Sequence, residues 1–255
     1  MHTKIRYYSV ITCMAACLIL HGCSHEKHDK DVLFQYGTLG ALMEGVYDGG
    51  LTCSQLKNHG DFGLGTFNTL DGEMIVINHQ VIQIKADGSA YAAHDTTKIP
   101  FAVVTHFESE QTEPLNKSLS YSQLKTYIDS LLPTLNIPFA VKIRGIFHTM
   151  KTRSVPAQKK PYKRLLDVLK NQPEFEFQDV TGTIIGFRLP DYMDKANAPG
   201  YHFHFITENM DAGGHVLDFI VKNVKIEIDH THEWHALLPD DKAFYDVKMS
   251  EDRYR

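Results

Sequence analysis

The chain has 255 residues, 43% of them hydrophobic, with 26 basic and 31 acidic residues and a formal net charge of −5. Such a composition can bury a core in one large or two small domains, which excludes global disorder. No apolar run reaches the roughly 20 residues of a membrane-spanning helix, and no basic stripe interleaved with aromatics points to nucleic acid.

Lys4 and Arg6 precede an apolar run from Val10 to Leu20 that ends in Leu20-His21-Gly22-Cys23. A basic start, a short apolar stretch and a small residue before the cut predict an export signal over residues 1–22. The Leu-x-Gly-Cys ending is similar to a bacterial lipobox, with Cys23 the lipidated first residue of the mature chain and residues 23–30 a polar tether. The expectation is an exported lipoprotein facing the periplasm or cell exterior, held to the membrane by lipid alone; plain export is the alternative. Removing Lys4 and Arg6 leaves 24 basic against 31 acidic residues, net −7. Cys13 and Cys17 leave with the signal, so Cys53 remains as one thiol without an internal disulfide.

In the mature chain, Val32 to Thr38 reads as a strand or loop leading into Leu39-Gly40-Ala41-Leu42-Met43, closed by a turn at Asp48-Gly49-Gly50. Gln55-Leu56-Lys57 is a short helical turn with Thr52 or Ser54 as its cap. Gly60-Asp61-Phe62-Gly63-Leu64-Gly65-Thr66-Phe67 is glycine-dense but has no following Lys-Ser/Thr, so it reads as turn and strand rather than a phosphate cradle. Asp71-Gly72 predicts a hairpin with Glu73 to Ile77 as its second strand. A second hairpin turns at residues 86–89, and Pro100 to Phe107 is another apolar strand.

Tyr121, Leu124, Tyr127, Ile128 and Leu131 recur at helical spacing between a Ser120 or Ser122 cap and the Pro133 stop. Phe139 to Phe147 is a strand, 150–156 an extended segment, and Leu165 to Leu169 a second helix. Strands follow at 175–177, 180–189, 200–207, 215–221 and 224–228. The fold class is α+β: two β-rich blocks of mostly antiparallel or mixed sheet with a few helices. They divide as 31–135 and 136–255, the second carrying the metal site on its strands.

The metal site comes from Tyr201-His202-Phe203-His204-Phe205 and His215. Strand side chains alternate between faces, so His202 and His204 point one way and the three aromatics the other. Residues 207–214 end in Gly213-Gly214 and read as a turn, bringing His215 opposite His204 on the returning strand. Three imidazoles from two rigid strands make a tridentate site with open positions, the catalytic pattern for zinc. The bland alternative is three histidines scattered over a half-buried sheet. Asp229-His230-Thr231-His232-Glu233-Trp234-His235 holds a second His-x-His pair without an obvious third ligand, and reads as a rim cluster. His-Glu-x-x-His and Gly-x-Ser-x-Gly are both absent, which argues against a metalloprotease helix or a serine hydrolase.

Further motifs resemble one family. Tyr36-Gly37-Thr38-Leu39-Gly40-Ala41-Leu42, Gly60 to Phe67, Leu70-Asp71-Gly72-Glu73, Arg153-Ser154-Val155-Pro156, Gly200 to Phe205 and Gly213-Gly214-His215-Val216-Leu217-Asp218 are similar to the alpha-acetolactate decarboxylases over residues 31–245. The resemblance implies Zn2+ on His202, His204 and His215, with Glu73 and Arg153 in the active site and Thr66 lining it. It implies decarboxylation of acetolactate to acetoin through a metal-stabilised enediolate, with Arg153 suited to recognising the carboxylate and Glu73 to delivering the proton or positioning the oxygens. The family's C-terminal tail contributes a further carboxylate. Arg255 ends this chain ahead of that position, and neither Glu251 nor Asp252 matches a motif, so that role is unassigned. Acetolactate is the expected partner, with a homodimer left open. A zinc-dependent hydrolase or isomerase, or an exported zinc-binding lipoprotein, would use the same three histidines.

Overall fold

The computed structural model describes residues 30–249. The expected signal, Cys23, most of the tether, Glu251 and Asp252 lie outside these residues.

A seven-stranded sheet runs in the order Glu233–Leu237, Val32–Tyr36, Phe101–Thr105, Phe62–Thr66, Glu73–Ile77, Gln80–Ile84, Ala90–Ala92. All neighbours are antiparallel except the first two, which lie parallel. Its central strands read as near-continuous apolar runs because both faces are buried. Leu33, Leu64, Ile75 and Val103 face one core together with Ile185 and Phe187 of the second sheet. Their alternates Phe34, Met74, Val76 and Val104 pack on Leu51, Cys53 and Leu56.

The second sheet has six strands. Phe139–Arg153 lies between Glu174–Leu189 and Gly213–His230, antiparallel to both. Gly200–Thr207 pairs with Glu174–Leu189 on one side and with the start of Gly213–His230 on the other, so these four strands close on one another. Helix Tyr121–Leu131 lies against this sheet. Ser120 caps it through a reciprocal box with Gln123. Its buried Leu124 and Ile128 join the aromatic core of Phe147, Phe205 and Phe219, each burial contributing about 1.5–3 kcal/mol.

The α+β class with two β-rich blocks is borne out, and the differences have physical reasons. Sheet membership crosses the expected 135/136 division both ways: Glu233–Leu237 joins the first sheet, while Gln111–Leu115 and Leu119–Ser120 join the second. The strands expected at 215–221 and 224–228 are one strand, Gly213–His230, because bulges against Phe139–Arg153 absorb the irregular register. Asp71-Gly72 is not a tight turn. Residues 67–72 form a wider loop with a 3-10 turn at Asn68–Leu70, anchored where Thr69 N donates to Tyr47 O. Leu39–Met43 is a helix, capped where Thr38 Oγ1 accepts from Ala41 N.

Candidate active site

The site lies where the two sheets meet. His204 and His215 are direct cross-strand partners, and His202 shares their face two residues earlier on Gly200–Thr207. Ring centroids are 5.3 Å apart for His202–His204, 5.0 Å for His202–His215 and 5.2 Å for His204–His215. One nitrogen of each lies within 4.8 Å of the others. Among the described residues this is the one trio of His, Cys, Asp or Glu side chains with metal-binding spacing.

His204 Nδ1 is 2.8 Å from the Met74 carbonyl oxygen. In a neutral ring that contact places the proton on Nδ1 and leaves the Nε2 lone pair toward the cluster. Nε2 is buried and makes no hydrogen bond among the described residues, a cost that a bound cation would remove. Burial pushes the His202 pKa down to about 3, with Arg153 adding to the effect. Burial also holds His204 and His215 well below the ordinary imidazole range. Neutral imidazole is the form that ligates a metal, so the donor set fits a divalent cation.

Glu73 opens strand Glu73–Ile77 opposite Thr66. Its Oε1 is 3.5 Å from an Arg153 guanidinium nitrogen and its Oε2 is 3.5 Å from His204 Nε2. Burial raises its pKa to about 7 against the opposing pull of Arg153, which places it between acid and base at neutral pH. Arg153 ends strand Phe139–Arg153 opposite His215. The strands approach closely there because position 214 is glycine: with φ +141°, a Cβ would stand 2.4 Å from the Arg153 carbonyl oxygen. Thr66 Oγ1 donates to the Gly72 carbonyl at 2.7 Å and closes the 67–72 loop below Glu73.

All six residues expected at the site line one cavity of about 40 Å³. Its remaining wall is apolar, with Leu39, Leu42, Leu70, Phe101, Val155 and Leu165 among the contributors. Sequence reasoning gave none of these a role. The Tyr36 to Leu42 and Arg153 to Pro156 motifs held the signal for Leu39, Leu42 and Val155, but an apolar residue reads first as core. The rim histidines stay apart: His230 Nδ1 is 3.0 Å from Glu110, and His232 and His235 are exposed.

A small cavity with acid, guanidinium and three imidazoles in an apolar wall defines an enzyme for a small molecule rather than a storage or scaffold protein. Comparison with known proteins gives the family. The alpha-acetolactate decarboxylase family matches residues 33–251. The alpha-acetolactate decarboxylase of Methanosarcina mazei is 47% identical over 87% of this chain and 77% of its own. That of Methylococcus capsulatus is 43% identical over 92% and 89%. The crystal structure of the Bacillus subtilis strain 168 enzyme superposes with a TM-score of 0.84 at 34% identity, covering 86% of this chain and 93% of that one. The chain belongs to the alpha-acetolactate decarboxylase family, a family of lyases.

Proposed function

We propose that this chain converts 2-acetolactate to acetoin and carbon dioxide with Zn2+ held by His202, His204 and His215. The observation that carries the reading is the buried His204 Nε2, without a hydrogen bond among the described residues and 3.5 Å from the Glu73 carboxyl, in a chain of this family. When bound, the cation would supply an electron sink next to the carbon that loses carbon dioxide.

The chain's residues perform the rest. Arg153 binds the carboxylate and sets the breaking bond, since its planar fork matches a carboxylate with two donors. The apolar wall takes the methyl groups and excludes water, which strengthens these charge interactions. After carbon dioxide departs, the substrate is left as an enediolate and needs one proton. A Glu73 carboxyl with a pKa near 7 can deliver it. Thr66 holds the loop that places Glu73 rather than acting on the substrate, because its hydroxyl is committed to Gly72.

A metal-scavenging role would present histidines at the surface, whereas His202 and His204 are buried. Export and lipidation at Cys23 belong to the same proposal, supported by the N-terminal sequence alone. The deciding experiment measures acetoin and carbon dioxide from acetolactate with the purified protein, before and after chelation and zinc return. Zinc-restored turnover supports the reading. A zinc-loaded protein with no turnover overturns it in favour of a hydrolase, isomerase or binding role.

A further inference from the structure

We propose that a second, larger cavity adjoining the histidine cluster is the vestibule that admits the anionic substrate, with Lys125 as its receiving cation. This rests on the decarboxylase reading above. The cavity measures about 440 Å³. Arg153, His202 and His215 belong to its wall and to that of the 40 Å³ cavity as well. The cluster is therefore a partition between two chambers, and Arg153 is reachable from both.

The smaller chamber has little room of its own. At roughly 10–15 Å³ per water, its 40 Å³ holds about three waters. That is room for the methyl groups of a five-carbon hydroxy keto acid without its carboxylate. With the apolar end in the smaller chamber and the carboxylate at Arg153, the charged end points into the larger chamber.

That chamber is prepared for an anion. Lys125, from helix Tyr121–Leu131, lines it and holds its ammonium 4.6 Å above the Tyr121 ring. No carboxylate pairs with this ammonium among the described residues. The acid one turn along the helix, Asp129, is engaged elsewhere: Tyr201 OH donates to it at 2.7 Å and Arg188 Nε lies 3.8 Å away. Gln172 Oε1, in the same wall, is buried without a hydrogen-bond partner among the described residues and can accept from a hydroxyl or a water. The chain carries net charge −5, so its mean field repels an acid, and a cleft with local positive charge restores the encounter rate.

Lys125 is thus a binding residue remote from the reacting atoms, and its loss acts on capture rather than on turnover. The test compares wild type, Lys125→Glu, Lys125→Gln, Lys125→Arg and Leu169→Trp, the last placing a bulky ring in the wall of the larger chamber. Acetolactate kinetics are taken at low and high salt, with zinc content measured for each. Binding of 2-hydroxyisobutyrate, which cannot decarboxylate in the same way, is measured by calorimetry on the zinc-loaded proteins. Lys125→Glu should raise KM and the hydroxyacid Kd by about tenfold at low salt, within the range of electrostatic steering, with kcat within about twofold. Lys125→Gln should fall between, Lys125→Arg near wild type, and salt should shrink the differences. Leu169→Trp should lower kcat/KM at unchanged zinc content. Wild-type KM and Kd in Lys125→Glu and Lys125→Gln, or wild-type kcat/KM in Leu169→Trp, overturns the vestibule. Absence of turnover in wild type instead overturns the decarboxylase reading.

Discussion

Glu73 and Arg153 stand 80 positions apart in sequence and 3.5 Å apart in space, one from each sheet. Both are about 5% exposed, so neither charge is screened by water and each sets the state of the other. Burial alone raises Glu73, and Arg153 holds the rise to about 7. Glu73→Gln keeps the shape and removes the proton; Arg153→Lys keeps the charge and removes the planar fork. Each should keep zinc and fold while losing on the order of 100-fold or more in kcat, the scale of a positioned acid or base. Near wild-type turnover in either variant would move that residue from the chemistry to the wall.

The three histidines make a sharper prediction. His202→Ala, His204→Ala and His215→Ala should each lose most of the one zinc per chain, since a site with three protein ligands has none to spare. His232→Ala should keep it, because His232 is exposed on the rim and outside the trio. Metal analysis of the purified variants decides between them. Full zinc in all three cluster variants would place the metal elsewhere.

The legible part of the site followed strand periodicity. His202 and His204 are two residues apart, and the double glycine at 213–214 signals the hairpin that pairs His204 with His215. Local pattern could not reach further. Nothing in the spacing of Glu73 and Arg153 says that strands from different sheets bring them together; their place came from family motifs. The sheet exchange was also hidden, since Glu233–Leu237 is five exposed residues that read as a polar rim and joins the first sheet only by lying parallel to Val32–Tyr36. The Leu39–Met43 helix escaped because five apolar and glycine residues carry no amphipathic period. All five are buried, so tertiary packing decides their conformation.

Thr66 should separate structure from chemistry. Thr66→Val removes the hydroxyl that donates to Gly72 and leaves that carbonyl without its donor, at a cost of about 1–3 kcal/mol. The 67–72 loop then loosens beneath Glu73, so kcat should fall less than in Glu73→Gln while zinc content holds. Urea unfolding with the same assay checks both. Unchanged stability with a catalytic loss as deep as that of Glu73→Gln would give Thr66 a direct part in the reaction.

The N-terminal proposal stands apart from the site. Expressed in a bacterium that processes lipoproteins, the wild-type chain should partition with membranes and take up labelled fatty acid. Cys23→Ser should lose the label with acetoin formation intact, because the tether is separate from the fold. A wild-type chain that is unlabelled and cut elsewhere would remove the anchor and leave the enzyme untouched.

Stability should fall with rising pH at one position far from the cavity. Asp229 is 1% exposed; burial pushes its pKa up to about 7, with Glu110, Asp31 and Glu108 adding to the rise. Among the described residues its one hydrogen bond, from Glu108 N to Oδ2 at 3.3 Å, pulls the other way, and Oδ1 has no hydrogen-bond partner. Unfolded, an aspartate releases its proton near pH 3.9, so between about pH 4 and 7 the native state binds more protons. Its contribution is therefore fully present below pH 4, declines as pH rises through 7 and is flat above. Asp229→Asn has no charge to bury, so its stability relative to wild type should improve from pH 5 to about pH 7 and level off toward pH 8. Urea unfolding of both chains across that range reads the difference directly. A constant difference would mean that Asp229 ionises as freely in the folded chain as in the unfolded one.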